Sequence, residues 1–270
     1  MAKIDLASYD IGYLEVLANM DTPVHRLDPR AKVLTTLVFI ILVTSFGKYE
    51  VSRLLPFFIF PVVFFALGNL PIIYILKKIL IVSPFILFVG IFNPLLDQEI
   101  LLRIGPYPIS GGWISFISIL LRFTLTMGAA LILIATTGFP AFCMALEKLG
   151  TPNIFVVQLL FLYRYIFLLF DEGIRMVRAY TLRSIGGKGM RLRLFYQFAG
   201  NLLLRTFDRA QRIHMAMLCR GFQGEIRVTR QDRFGVFEIV YTLGSCAVLI
   251  FMRFYDIPKP LGDFFIQIIP

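Results

Sequence analysis

The sequence predicts an all-α polytopic membrane protein, with about five transmembrane helices and, beside them, long amphipathic helices on the cytoplasmic side. Three observations predict it. Hydrophobic residues make up 58% of the chain and mean hydropathy is +0.78; a water-exposed surface this apolar would be covered in adhesive patches. The apolar residues fall in long runs rather than alternating strands, and lipid demands that each span satisfy its own backbone. The net charge of +10 is segregated: residues 138–234 hold fifteen Lys and Arg against six Asp and Glu, while the rest of the chain is nearly balanced. Such an excess marks a cytoplasmic face.

Residues 1–30 read as a polar cytoplasmic arm. Residues 1–19 lack a basic start followed by an apolar core, so no cleavable signal peptide is expected. Asp28-Pro29 opens the first helix, because Asp is a good N-cap and Pro suits the first turn. The first span, 31–46, covers only ~24 Å at 1.5 Å per residue, short of a ~30 Å hydrocarbon core. After a turn at 47–53 comes the second span, 54–70, with Pro56 and Pro61 near its start. A short amphipathic stretch, 71–78, ends in Lys77-Lys78 and belongs on the cytoplasmic side. The third span is 79–96. Residues 97–112, poor in positive charge and rich in Gly and Pro, form an outer loop. Trp113 sits where an interfacial anchor would, and the fourth span runs to about residue 137. Residues 31–137 are thus a four-span membrane region.

Residues 138–233 form a basic cytoplasmic region. A short helix, 140–149, is closed by Gly150. Thr151-Pro152 then starts a long helix, 153–184, stopped by Gly186-Gly187. Its first half is apolar enough to admit a sixth span. A helix lying in or dipping into the interface is preferred, because the basic stretches on both sides then share one face. In its second half Phe170, Ile174 and Val177 form a stripe, with Asp171 and Arg175 as an i,i+4 pair on another face. In the next helix, 192–220, Leu203, Phe207, Ala210, Ile213 and Met217 line up; Arg205, Arg209 and Arg212 lie off that stripe, and Gly221 is the expected stop. Residues 234–270 supply the last span, to about residue 254, and a short tail. The amino terminus is then inside and the carboxyl terminus outside.

Cys143, Cys219 and Cys246 suggest no disulfide framework. His25 and His214 lie in no ligand pattern, so no metal site is expected on this chain. A Gly-rich loop ending in Gly-Lys-Ser/Thr is missing, as is any nucleophile, base and acid set; neither ATP binding nor catalysis is expected here. Gly128-Ala129-Ala130 suits close helix packing. Arg122, mid-span in the fourth helix, is a candidate functional charge inside the membrane, or else pairs internally or with a partner.

Two helix ends look alike: Leu182-Arg183-Ser184 and Cys219-Arg220-Gly221. The helix dipole favours a cation at that end by ~0.3–1 kcal/mol, which by itself accounts for an Arg there. An exposed guanidinium on a rigid tip also suits a partner's acidic groove, which its planar fork grips bidentately.

These tips, with His25-Arg26-Leu27-Asp28-Pro29-Arg30-Ala31-Lys32 at the first span and Tyr163-Arg164-Tyr165 in the long helix, resemble the transmembrane T component of energy-coupling factor (ECF) transporters, in its cobalt/nickel branch, the CbiQ family. The family usually places Ala before each tip Arg, where this chain has Leu182 and Cys219. The resemblance implies an ATP-driven importer for cobalt or nickel ions in a bacterial or archaeal cytoplasmic (inner) membrane. In it the T component links two ATP-binding cassette ATPase subunits, which hold ATP and Mg, to a substrate-binding membrane subunit; a small accessory membrane subunit also fits. Leu182, Arg183, Ser184, Cys219, Arg220 and Gly221 would dock on the ATPases. No cofactor on this chain and no nucleic-acid partner are implied. Two other classes compete. A self-sufficient secondary transporter would show inverted repeats and several midplane polar groups. An intramembrane enzyme would show paired Asp, His or Ser on facing spans.

Overall fold

The computed structural model describes residues 13, 15–96, 100–104, 107–183, 192–224 and 235–255. They form α1 (Pro23–Arg26), α2 (Pro29–Thr44), α3 (Val51–Gly68), α4 (Ile72–Gly90), α5 (Phe92–Leu96), β1 (Ile100–Ile104), β2 (Tyr107–Ser110), α6 (Gly111–Thr137), α7 (Phe139–Lys148), α8 (Asn153–Arg183), α9 (Leu192–Cys219) and α10 (Val236–Phe254). The protein is all-α and membrane-spanning in character; among the described residues one small sheet occurs, the antiparallel β1–β2 hairpin in the connection before α6.

The chain divides into two compact units, one of residues 14–142 and 232–270, the other of residues 1–13 and 143–231. In the first, α6 is the central post. It packs against α2, α3, α4 and α5, while α2 also packs against α10. Phe39, Val43, Phe46, Leu54, Phe57, Leu125, Ala129 and Leu249 form one apolar core, and Val24, Phe64, Leu70, Ile75, Ile132 and Ala135 a second. Phe39 stacks on Phe60 with centroids 4.4 Å apart, and Phe57 meets Phe46 edge-on. Small residues let α6 come close to its neighbours: Ala129 is fully buried, and Gly128 faces the Ile79 side chain. Away from this core α4 carries Ile73, Leu80, Ile81, Phe85 and Phe88 exposed, as a lipid-facing surface should.

Among the described residues, five helices are long and apolar enough to cross a membrane: α3, residues 72–94 (α4 with α5), α6, α8 and α10. The set differs from the sequence expectation in two members. The first span is only the 16-residue α2, whose Asp28 cap accepts the Arg30 N–H at 2.8 Å. The apolar long helix α8 enters by length and composition. Three boundaries are corrected. Lys77-Lys78 do not precede the third span but lie inside α4, since nothing between Tyr74 and Ile79 breaks a helix. Lysine stems lie along apolar surface while their heads reach water, and Lys78 sits over the Tyr74 ring. The second span starts at Val51, three residues early, and tightens into a 3₁₀ turn at Leu55–Phe58, where Pro56 has no N–H to give. The outer loop contains the hairpin, and α6 begins at Gly111, placing a 55% exposed Trp113 in its first turn. Ser184, Gly186, Gly187, Phe234 and the tail beyond Tyr255 lie outside the described residues.

The ends of this unit are held by polar ties. At one end the Arg122 guanidinium donates to the Gly47 carbonyl. Arg253 donates to the Ser45 carbonyl at 3.2 Å and lies 4.0 Å over the Phe46 ring. Arg253 thus serves the C-terminus of α2, where the helix dipole favours cations, and Arg122 the turn that follows it. Arg122 therefore has an acceptor within the chain. At the other end Arg26 forks onto Asp21 through Nε and Nη2 at 2.7 and 2.8 Å. This pairing holds the Asp21 carboxyl below the usual carboxylate range.

Candidate functional site

The second unit is built on α8 and α9. Three contacts fix their relation: Phe161 with Phe222 (6.1 Å between centroids), Glu172 with Arg205 (2.7 Å), and Tyr180 edge-on to Phe198 (5.7 Å). Numbers rise along one helix as they fall along the other, so the pair is antiparallel. The C-terminus of α8 therefore lies at one end of the pair and the C-terminus of α9 at the other. With Phe222 beside Phe161, the two ends are separated by the stretch from Phe161 to Arg183, roughly 33 Å at 1.5 Å per residue.

The helices touch sparingly, leaving an apolar cleft on each side of the Glu172–Arg205 tie. One, of about 480 Å³, is lined by the Leu203, Phe207, Ala210, Ile213 and Met217 stripe of α9. The other, of about 510 Å³, is lined by the Phe170, Ile174 and Val177 stripe of α8. Both stripes had been legible from spacing. The ion pair had not: Arg175 pairs with Glu172 at 3.1 Å, not with Asp171. Glu172 is the residue that faces α9, so it gathers Arg205 and Arg175 together. The signal was present in the row of Arg205, Arg209 and Arg212, which needed an acid opposite it.

At the first tip, Leu182 is 87% exposed and Arg183 is exposed as the last residue of α8. Ser184 lies outside the described residues. At the second tip, Cys219, Arg220 and Gly221 are all exposed. This tip is locked by its backbone. Phe222 N–H donates to the Met217 carbonyl and Gly221 N–H to Leu218, both at 3.0 Å, with Gly221 at φ +78°. That is a Schellman closure, which a residue with a Cβ resists. The Phe222 ring then turns back onto Phe161 and anchors the end of α9 to α8. Neither Arg183 nor Arg220 forms an ion pair among the described residues. The unit thus offers two guanidinium groups on stiff helix ends, spaced apart and open to a partner.

His214 lines the first cleft, while His25 is buried in α1. Among the described residues no three His, Cys, Asp or Glu side chains converge as metal ligands would. Cys143, Cys219 and Cys246 are free thiols.

A multi-pass membrane unit joined to a basic helical module with two presented tips defines a class, the membrane subunits that dock on other chains. The family described as CbiQ, cobalt transport protein, matches residues 20–233, from just before the His25–Lys32 motif through both tips. The chain belongs to that family and is a T component of the energy-coupling factor type. It is 28% identical over 216 residues to the energy-coupling factor transporter transmembrane protein EcfT of Bacillus subtilis (strain 168), covering 74% of this chain and 81% of that one. It is 27% identical over 253 residues to EcfT of Streptococcus thermophilus, covering 86% and 90%. The uncharacterized protein MJ1571 of Methanocaldococcus jannaschii is 25% identical over 256 residues, covering 90% of this chain and 86% of its own.

Proposed function

We propose that this chain is the non-catalytic energy-coupling subunit of an ATP-driven importer for cobalt or nickel ions. Two cytoplasmic ABC ATPases, which bind ATP and Mg, dock on its tips through Arg183 and Arg220. A substrate-binding membrane subunit, with or without a small accessory membrane subunit, packs beside it in the cytoplasmic membrane. The amino terminus lies inside, and α8 lies along the interface with its charged second half in the cytoplasm. The observation that carries this reading is the antiparallel α8–α9 pair. It holds two exposed arginines at opposite ends, as two separate ATPase grooves require. The family description supports a metal cargo.

The mechanism follows from stiffness. A groove that binds the Arg220 guanidinium holds a tip whose backbone is closed by Gly221 and braced by Phe222 on Phe161. When the ATPases move, each tip moves with its groove, and the sparse α8–α9 contact lets the angle between the helices change. Apolar clefts on both sides of the crossing can open or close with little polar cost. The experiment is capture of the ATPase subunits by tagged wild-type, Arg183→Ala, Arg220→Ala and doubly substituted chains, with cobalt and nickel uptake measured in the same cells. The expected outcome is loss of capture and uptake, worst in the double variant. Normal capture and uptake in the double variant would sink the assignment. Uptake of neither metal by an intact, wild-type complex would sink the cargo.

A further inference from the structure

The His25–Lys32 motif does more than start a span. Lys32, in the first turns of α2, is 2% exposed. Its ammonium donates to the Thr136 carbonyl at 2.9 Å and to the His25 carbonyl at 3.3 Å. Both acceptors belong to helix ends: Thr136 to the last turn of α6 and His25 to the last turn of α1. Carbonyls at helix C-termini have no partner inside their own helix, and the dipole makes that end negative. One buried cation therefore closes two helix ends at once and fastens them to the start of a third. Asp28 completes the start of α2 by capping Arg30.

The position of this tie matters. Two residues past Thr136 the chain turns at Gly138, whose φ is +74° and whose missing Cβ leaves room for Ala18; a Cβ there would meet the Ala18 methyl at 3.2 Å. The next residue begins α7, and within α7 the chain passes from the first compact unit to the second, between residues 142 and 143. Any force that the α8–α9 unit passes back along the chain in this direction reaches the membrane bundle at the last turn of α6.

We propose that Lys32 is a positioning residue for energy coupling. It clamps the end of α6 to α1 and α2, so that displacement of α7 moves the bundle instead of being spent at the Thr137–Gly138 joint. This rests on the proposed coupling role. Lys32 touches neither nucleotide nor cargo and acts through the Thr136 carbonyl.

The test uses the full complex, with all its subunits, reconstituted in proteoliposomes, reading ATP hydrolysis and metal uptake together. Lys32→Met keeps the stem and removes the ammonium. The expected result is a complex of normal subunit ratio that still hydrolyses ATP, with uptake per ATP lowered roughly five- to tenfold, the range of a broken coupling element. Phe39→Leu is the control: it injures the core of the same helix, should lower the melting temperature, and should leave uptake per ATP unchanged. Should Lys32→Met fail to assemble, Gly138→Ala strains the same joint without touching the ammonium and should give the same uncoupling. Wild-type uptake per ATP in whichever of Lys32→Met and Gly138→Ala assembles overturns the proposal, as does equal uncoupling by Phe39→Leu. If the wild-type complex shows no ATP-driven uptake, the coupling role itself falls and this inference with it. A coupled wild type beside an equally coupled Lys32→Met removes the inference alone.

Discussion

The two compact units treat their cations in opposite ways. In the membrane unit the buried Lys32 reaches two helix-end carbonyls, while the half-buried Arg253 and Arg122 reach the Ser45 carbonyl at the end of α2 and the Gly47 carbonyl in the turn after it. In the α8–α9 unit Arg183 and Arg220 sit at helix ends too, yet point into the open without an ion pair among the described residues. The dipole attracts a cation in both settings, so dipole alone does not distinguish them. What differs is closure. A buried cation must find its acceptors within the chain, because an unmet charge away from water is too costly. An exposed guanidinium has no such need, and its remaining donors are available to another protein. The first unit meets these cations from within the chain; in the proposed reading, a partner meets those of the second.

The largest effect should come from breaking the open side. If each tip Arg is buried against ATPase acids, Arg→Ala strands those acids and costs ~2–5 kcal/mol of docking. Arg183→Lys and Arg220→Lys should rescue poorly, since Lys cannot present two parallel donors. Capture of the ATPases at graded concentration reads the loss. A deficit of only a few tenths of a kcal/mol would mean that the dipole was the whole story.

The same change on the closed side should have the opposite signature. Arg122→Met removes a charged donor from the Gly47 carbonyl, a hydrogen bond of about 1.5–3 kcal/mol. The expected result is a lower melting temperature of the detergent-solubilised complex, with ATPase capture unchanged. Reduced capture at unchanged melting temperature would place Arg122 in an interface and blur the contrast.

Much of this was legible beforehand, for reasons that particular residues make plain. The helix ends at Gly150 and Gly221 follow from φ values that only glycine adopts easily, and both occur as expected. The α8 and α9 stripes follow from helical spacing. What spacing does not carry is the partner across a gap. Lys32 read as one more base in a motif, because its acceptor Thr136 is 104 residues away and is a backbone carbonyl, which has no sequence signature. Glu172 and Asp171 are adjacent acids, and only the neighbouring α9 decides which one Arg175 and Arg205 share. The count of five spans holds, but their membership shifts for a related reason. Hydropathy scores a window, whereas α2 is short and buried by its neighbours, and α8 is apolar for half its length and charged for the rest.

A smaller effect sharpens the closed side through pH. Burial of the His25 ring, and next the nearby Lys32 charge, lower its pKa from the ordinary 6.5. Unfolded chains therefore take up this proton at a higher pH than the folded protein does. Below about 6.5 the unfolded state binds more protons, so stability should fall as pH drops from there toward the lowered folded value. His25→Gln should flatten that part of the pH–melting curve. A curve identical to wild type would mean that the ring is not held neutral by its burial.

The smallest effect concerns the tie that spans the open unit. Arg205 and Glu172 meet at 2.7 Å, but their side chains are 63% and 20% exposed, so the pair is screened and should contribute only ~0.2–1 kcal/mol. Arg175 competes for the same carboxylate at 3.1 Å and dilutes the loss of either arginine. A double-substitution cycle with Glu172→Gln and Arg205→Gln, read by thermal unfolding, should return a coupling energy in that range that shrinks as salt is raised. The pair nevertheless sits at the crossing, between the two apolar clefts, where a weak tie permits the helices to swing. Arg205→Gln should therefore leave ATPase capture intact, because both tips remain, while slightly changing the rate of uptake. A loss of capture as severe as that of Arg220→Ala would show that the crossing, and not the tips, holds the ATPases.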